Sequence, residues 1–103
     1  MDMVTQRKPT TVGEILNEEF LIELGMSQSA LARQMGVSPR LVNEICNDRR
    51  ALTAETAIML ATVFGNSAEF WLNIQTKGQL WEAHHAKKSI ERTKKARPLA
   101  MHA

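Results

Sequence analysis

Arg40, Asn43, Glu44 and Asn47 carry the chemistry that this chain advertises most plainly. Their spacing sets them on one face of a helix, and the apolar residues between them set the opposite face. Guanidinium and amide groups in such a row hydrogen-bond base edges and phosphates. Arg40 suits guanine O6 and N7, or a phosphate, and Asn43 suits adenine N6 and N7. Asn47 extends the reading row by one turn. Glu44 either accepts from cytosine N4 or pairs with Arg40 at i,i+4; both roles stay open. Arg49, Arg50 and Arg33 supply nearby cations. Gln28 and Thr53 each stand at the expected start of a helix, where unsatisfied N–H groups suit a backbone phosphate.

A row like this works only if a rigid element presents it. Residues 28 to 47 read as a helix, a tight turn and a second helix. Ala32 is small where two helices must cross. Gly36 follows at the turn, where a positive φ is needed. Val37 plugs the turn, Ser38 caps the second helix and Pro39 fits its first turn. Val42 and Ile45 recur at helical spacing and face Leu31 and Ala32. One such residue carries little information, but the joint pattern is specific. A plain helical hairpin is the bland alternative, and it has no need of a polar outer face.

The rest of the chain reads as helices around this pair. Thr11 to Glu14 forms a capping box that opens a first helix, with Ile15, Leu16, Phe20 and Leu24 expected inward and Gly25 as the stop. Leu21 and Ile22 then widen the apolar surface, against neighbouring elements or a partner. Ser27 caps the second helix, Thr53 a fourth and Ser67 a fifth. Ala57, Leu60, Ala61 and Phe64 give the fourth an inward stripe, ended by Gly65 and Asn66. Phe70, Trp71 and Ile74 supply the largest aromatic-apolar cluster. Lys77-Gly78 marks a break or kink before helical spacing resumes to about Lys88. Trp81 either folds back on Trp71 or meets a second copy.

With 103 residues and 44% apolar content, the chain holds one modest core. Helix formers dominate, and the expected fold class is all-α. The organisation expected is a flexible arm over 1–10, a helix-turn-helix domain over 11–88 and a basic, disordered tail over 89–103. The net charge of +2 conceals a segregation. Lys87, Lys88, Arg92, Lys94, Lys95 and Arg97 stand against Glu91 alone, so residues 87–97 carry +5 and residues 1–86 carry −3. Glu14, Glu18, Glu19 and Glu23 gather on the first helix. Separated charge of this kind orients a protein on a polyanion.

Enzyme chemistry finds no footing. His84, His85 and His102 lack metal-site spacing, so neither a metal nor a cofactor is expected. Cys46 stands alone, which excludes an internal disulfide and suits a reducing cytoplasm. No signal-peptide core or apolar run of membrane-spanning length occurs.

Several phrases in this order resemble one family. They are Gly13-Glu14-Ile15-Leu16, Leu24-Gly25-Met26-Ser27-Gln28, Leu31-Ala32, Met35-Gly36-Val37-Ser38, Leu52-Thr53-Ala54-Glu55, and Glu69-Phe70-Trp71-Leu72-Asn73-Ile74-Gln75 after Gly65-Asn66-Ser67. Together they resemble XRE-type helix-turn-helix proteins and, through the last phrase, HigA-type antitoxins. Val12 stands where the family usually has proline, and the basic tail lies outside the shared pattern. The resemblance implies a five-helix, lambda-repressor-like DNA-binding domain acting as a homodimer on an inverted-repeat operator. It further implies autorepression of an operon whose other product, a small ribonuclease toxin, the antitoxin silences. On that reading Gln28, Ser38, Pro39, Arg40, Asn43, Glu44, Asn47, Arg49, Arg50 and Thr53 form the DNA face. A stand-alone dimeric repressor without a toxin partner is the alternative. An interaction module that has lost DNA binding is a third possibility.

Overall fold

The computed structural model describes residues 7–99; most of the N-terminal arm and His102 lie outside them. Among the described residues all regular structure is helical. We name six helices: α1 over residues 12–24, α2 (Gln28–Met35), α3 (Pro39–Cys46), α4 (Ala54–Phe64), α5 (Ala68–His85) and α6 (Lys87–Thr93).

The caps fall where the side chains ask for them. Thr11 Oγ1 accepts from Glu14 N–H while Glu14 Oε1 accepts from Thr11 N–H. Ser27, Ser38, Thr53 and Ser67 each accept from an N–H in the first turn that follows. Gly25, Gly36 and Gly65 end their helices at φ of +60°, +77° and +72°.

Helix α1 departs from the expected register. It opens as an α-helix (Val12–Ile15), widens into a π-helical segment (Leu16–Leu21) and closes as an α-helical turn (Ile22–Leu24). A π turn needs more residues to come round, so the inward face recurs late. Leu21 is therefore the buried residue, 4% exposed, and Leu24, expected inward, stands 62% exposed beside an exposed Ile22.

Leu31 and Ala32 of α2, Val42 and Ile45 of α3, Leu16 and Leu21 of α1, and Ala57 and Leu60 of α4 close one core. Trp71 of α5 is fully buried in it. Its ring lies 5.0 Å from Phe20, 6.1 Å from Phe64 and 5.1 Å edge-on from Phe70. Asn66 Oδ1 accepts from its indole N–H at 2.9 Å, so the one polar atom of the ring is satisfied.

Two expectations about the C-terminal part are corrected. Helix α5 runs unbroken through Gly78, because a single glycine inside a helix costs only about 1 kcal/mol relative to alanine. The break falls at Ala86, whose extended backbone (φ −78°, ψ 128°) turns the chain into α6. Residues 89–93 are thus helical, where the sequence suggests a disordered tail. Ser89 and Ile90 are part-buried, which gives that segment an inner face. Trp81 stacks flat on His85 one turn on, with ring centroids 4.0 Å apart.

Candidate nucleic-acid interface

Helix α3 is held by the core along its inner face and by α1 at its C-terminal end. Val42 and Ile45 anchor its inner face in the core. At its C-terminal end, Asn17 Nδ2 of α1 donates to the Cys46 carbonyl at 3.0 Å. Next comes Asp48, which takes the left-handed conformation at φ +56°. That turn points its carboxylate back at α1, where Oδ1 accepts from Gly13 N–H at 2.9 Å and Oδ2 accepts from Thr11 Oγ1 at 2.6 Å. A carboxylate on the first N–H groups of α1 also suits the helix dipole. The approach is close enough that a Cβ on Gly13 would lie 2.5 Å from the Cys46 carbonyl oxygen.

The loop after α3 is clamped from α5. Gln75 Oε1 accepts from Leu52 N–H at 2.6 Å, and Gln75 Nε2 donates to the Leu52 carbonyl at 3.1 Å. One side-chain amide thereby satisfies both backbone groups of a buried residue.

Arg40 is almost wholly exposed, and its Nε donates to Glu44 Oε2 at 3.2 Å. Arg50 Nε donates to Glu44 Oε1 at 2.7 Å. Glu44 thus bridges two guanidiniums, Arg50 foremost, and these hold its carboxyl below the usual carboxylate range. Of the two roles the sequence left open for Glu44, pairing is the one the side chain occupies. Asn43 is exposed, and its Nδ2 donates to Gln28 Oε1 at 3.0 Å across the turn. Asn47 turns back on its own helix, Nδ2 donating to the Asn43 carbonyl at 2.9 Å. Arg49 is exposed beside this group.

Ser38 and Thr53 stand at the N-termini of α3 and α4 with their hydroxyls committed to capping, and Pro39 opens α3. What they present outward is helix N-terminus, with N–H groups suited to anions. The structure therefore brings Gln28, Arg40, Asn43, Glu44, Asn47 and Arg50 into one contiguous polar surface. Ser38 and Pro39 open α3, Arg49 directly precedes Arg50 in the chain, and Thr53 caps the helix that follows.

Sequence reasoning missed Asp48, Asn17 and Gln75, which position this face without lying on it. Asp48 left a faint signal, since Asp is among the few residues that adopt the left-handed region readily after a helix. Cys46 is buried, 5% exposed, beneath the face. Burial first, then the nearby Asp48 charge, pushes its thiol up to about 11.

Residues 18–71 match the family model described as helix-turn-helix. The chain is 43% identical over 96 residues to an HTH-type transcriptional regulator of Haemophilus influenzae, covering 93% of this chain and 89% of that protein. It is 46% identical over 81 residues to antitoxin HigA-1 of Vibrio cholerae, covering 79% and 76% respectively. The solved structure of Pseudomonas aeruginosa antitoxin HigA with the higBA promoter superposes with a TM-score of 0.79 at 40% identity. That match covers 88% of this chain and 98% of that one.

Proposed function

The chain belongs to the helix-turn-helix family, and from that premise we propose that it is an antitoxin of the HigA type that binds operator DNA and represses its own operon. The observation that carries the DNA side is the outer face of α3. Its amide and guanidinium groups are tied into one surface by hydrogen bonds that also reach Gln28 at the start of α2 and Arg50 in the loop before α4. Arg40 and Asn43 read base edges in the major groove, with Asn47 one turn further on. Gln28 holds the Asn43 amide, and Glu44 holds Arg40 and Arg50, so the reading groups meet DNA partly pre-oriented. Ser38, Pro39 and Thr53 offer helix N-termini to phosphates, and Arg49 adds a cation. The likeness to an antitoxin structure with promoter DNA supports this reading.

One copy spans few base pairs. We place two copies on an inverted repeat, with recognition helices roughly 34 Å apart. The protein acts in the cytoplasm, performs no catalysis of its own and silences a small ribonuclease toxin encoded beside it. The likeness to HigA-1 supports the toxin partner.

The test for DNA is Arg40→Ala with Asn43→Ala, measured by binding to a duplex carrying the promoter upstream of the gene. The expected result is loss of specific binding with an unchanged helical circular dichroism spectrum. Wild-type affinity in the double variant would overturn the assignment of the face. The toxin partner is tested by co-expression with the adjacent small reading frame, tagged on that product alone. Co-purification and relief of growth arrest support the antitoxin. A harmless neighbour that does not associate leaves a stand-alone repressor.

A further inference from the structure

An open cleft of about 520 Å³ lies between the N-terminal end of α1, the loop after α3, and α5 with the start of α6. Arg49 and Arg50 line it from the loop, Lys8 from before α1, and Ser89 from α6. The start of α6 therefore shares a cleft, through Ser89, with the loop that follows α3.

The charges around this cleft are unequally matched. Each acid there is already engaged. Asp48 accepts from Thr11 and Gly13, and Glu82 pairs with Lys8 at 3.4 Å. Glu44, beside the loop, holds Arg40 and Arg50. Beyond the cleft the cations are in surplus, six of them in residues 87–97 against Glu91 alone. Lys87, Lys88, Arg92, Lys94, Lys95 and Arg97 are exposed, and among the described residues none of them forms an ion pair. Lys88 and Arg92 stand at i,i+4 as like charges, an arrangement that weakens a helix unless an anion lies against it. Arg49 continues the surplus to the edge of the α3 face.

We infer that the cations of α6 and the residues just after it form a second, sequence-independent DNA contact, which continues from Arg49 and grips phosphates adjoining those met by α3. The occupant is the DNA backbone because a duplex presents a dense row of charges to match a row of cations. The same duplex, held by α3, is already next to Arg49. This rests on the DNA-binding reading above and adds to it a footprint that the helix-turn-helix alone does not supply.

The test is operator affinity against salt for the full-length wild type and two surface variants. One carries Lys87→Gln, Lys88→Gln, Arg92→Gln, Lys94→Gln and Lys95→Gln; the other carries Glu91→Lys. Glutamine keeps helix propensity, so folding is not at issue, and melting curves verify it. The glutamine variant is expected to bind about tenfold to a hundredfold more weakly at low salt, on operator and unrelated DNA alike. Its slope of log K against log salt should fall by roughly 0.9 for each phosphate that the variant no longer neutralises. Glu91→Lys is expected to steepen that slope. An unchanged slope in both variants, with wild type still bound to its operator, overturns the second contact and leaves the α3 reading intact. Loss of binding to the co-expressed toxin with an unchanged DNA slope also overturns it, because the cations then serve a protein. Failure of the wild type itself to bind operator overturns both readings.

Discussion

Gln75 grips Leu52 by both of its backbone groups, 23 residues back along the chain, at 2.6 Å and 3.1 Å. The pair fixes the loop between α3 and α4 to α5. Position 75 therefore governs how firmly Arg49, Arg50 and the start of α4 are held. Removal of the amide leaves a buried N–H and a buried C=O without partners.

Gln75→Ala is expected to destabilise the fold by about 2 kcal/mol, and so to lower the melting temperature by roughly 8–16 °C for a domain of this size. Gln75→Glu keeps the acceptor but turns a carboxylate oxygen toward the Leu52 carbonyl, so it should not rescue. Thermal melts of the two variants check this. A wild-type melting temperature in Gln75→Ala would mean that the clamp is decorative.

Gly13→Ala tests the contact between α1 and the end of α3. The added methyl would sit 2.5 Å from the Cys46 carbonyl oxygen and 2.8 Å from Asp48 Oδ1. The first of these is backbone and cannot swing away. A loss of about 1–3 kcal/mol is expected in denaturant titration, with the damage centred on the Thr11–Asp48 contact. Tolerance of alanine here would show that α1 can slide.

Glu44→Gln releases Arg40 and Arg50 from a shared carboxylate. Because those guanidiniums lower the Glu44 pKa in the folded chain, the ion pairs contribute fully above the ordinary value of 4.5. That contribution fades as pH falls through the lowered folded value. The melting temperatures of wild type and Glu44→Gln should therefore differ slightly at neutral pH and converge in acid. Divergence toward acid would contradict the pairing.

Cys46 should resist thiol reagents. With its thiol pushed up to about 11, only about one molecule in a thousand is thiolate at pH 8, and the sulfur is buried as well. Reaction with a chromogenic disulfide is expected to await unfolding in guanidinium. The same shift makes stability fall as pH rises from 9 toward 11, where the unfolded chain gives up a proton that the folded chain keeps. Rapid labelling under native conditions would refute the burial of this side chain.

The helix-turn-helix was legible because its signals are local and mutually consistent. Ser38 and Pro39 mark a start, Gly36 marks a stop, and Val42 with Ile45 sets the phase. Three features were not legible, each for its own reason. The inward turn of Leu21 in place of Leu24 depends on a π turn, and regular 3.6-residue counting cannot register one. The role of Asp48 depends on Gly13 and Thr11, more than 30 residues away in sequence. Helix α6 carries so many cations that its composition reads as a solvated tail, whereas its part-buried Ser89 and Ile90 emerge only in three dimensions.

The π turn of α1 also acts as a phase adjuster. It lets the N-terminal end of the helix keep its appointment with Asp48 while the C-terminal end turns Leu21 into the core. Loss of one residue between Asn17 and Phe20 would restore regular α-helical winding but force a choice between those two ends. Relatives that lack the extra residue would have to re-engineer one of the joints, so α1 is a place where gaps, more than substitutions, should separate working sequences from failed ones.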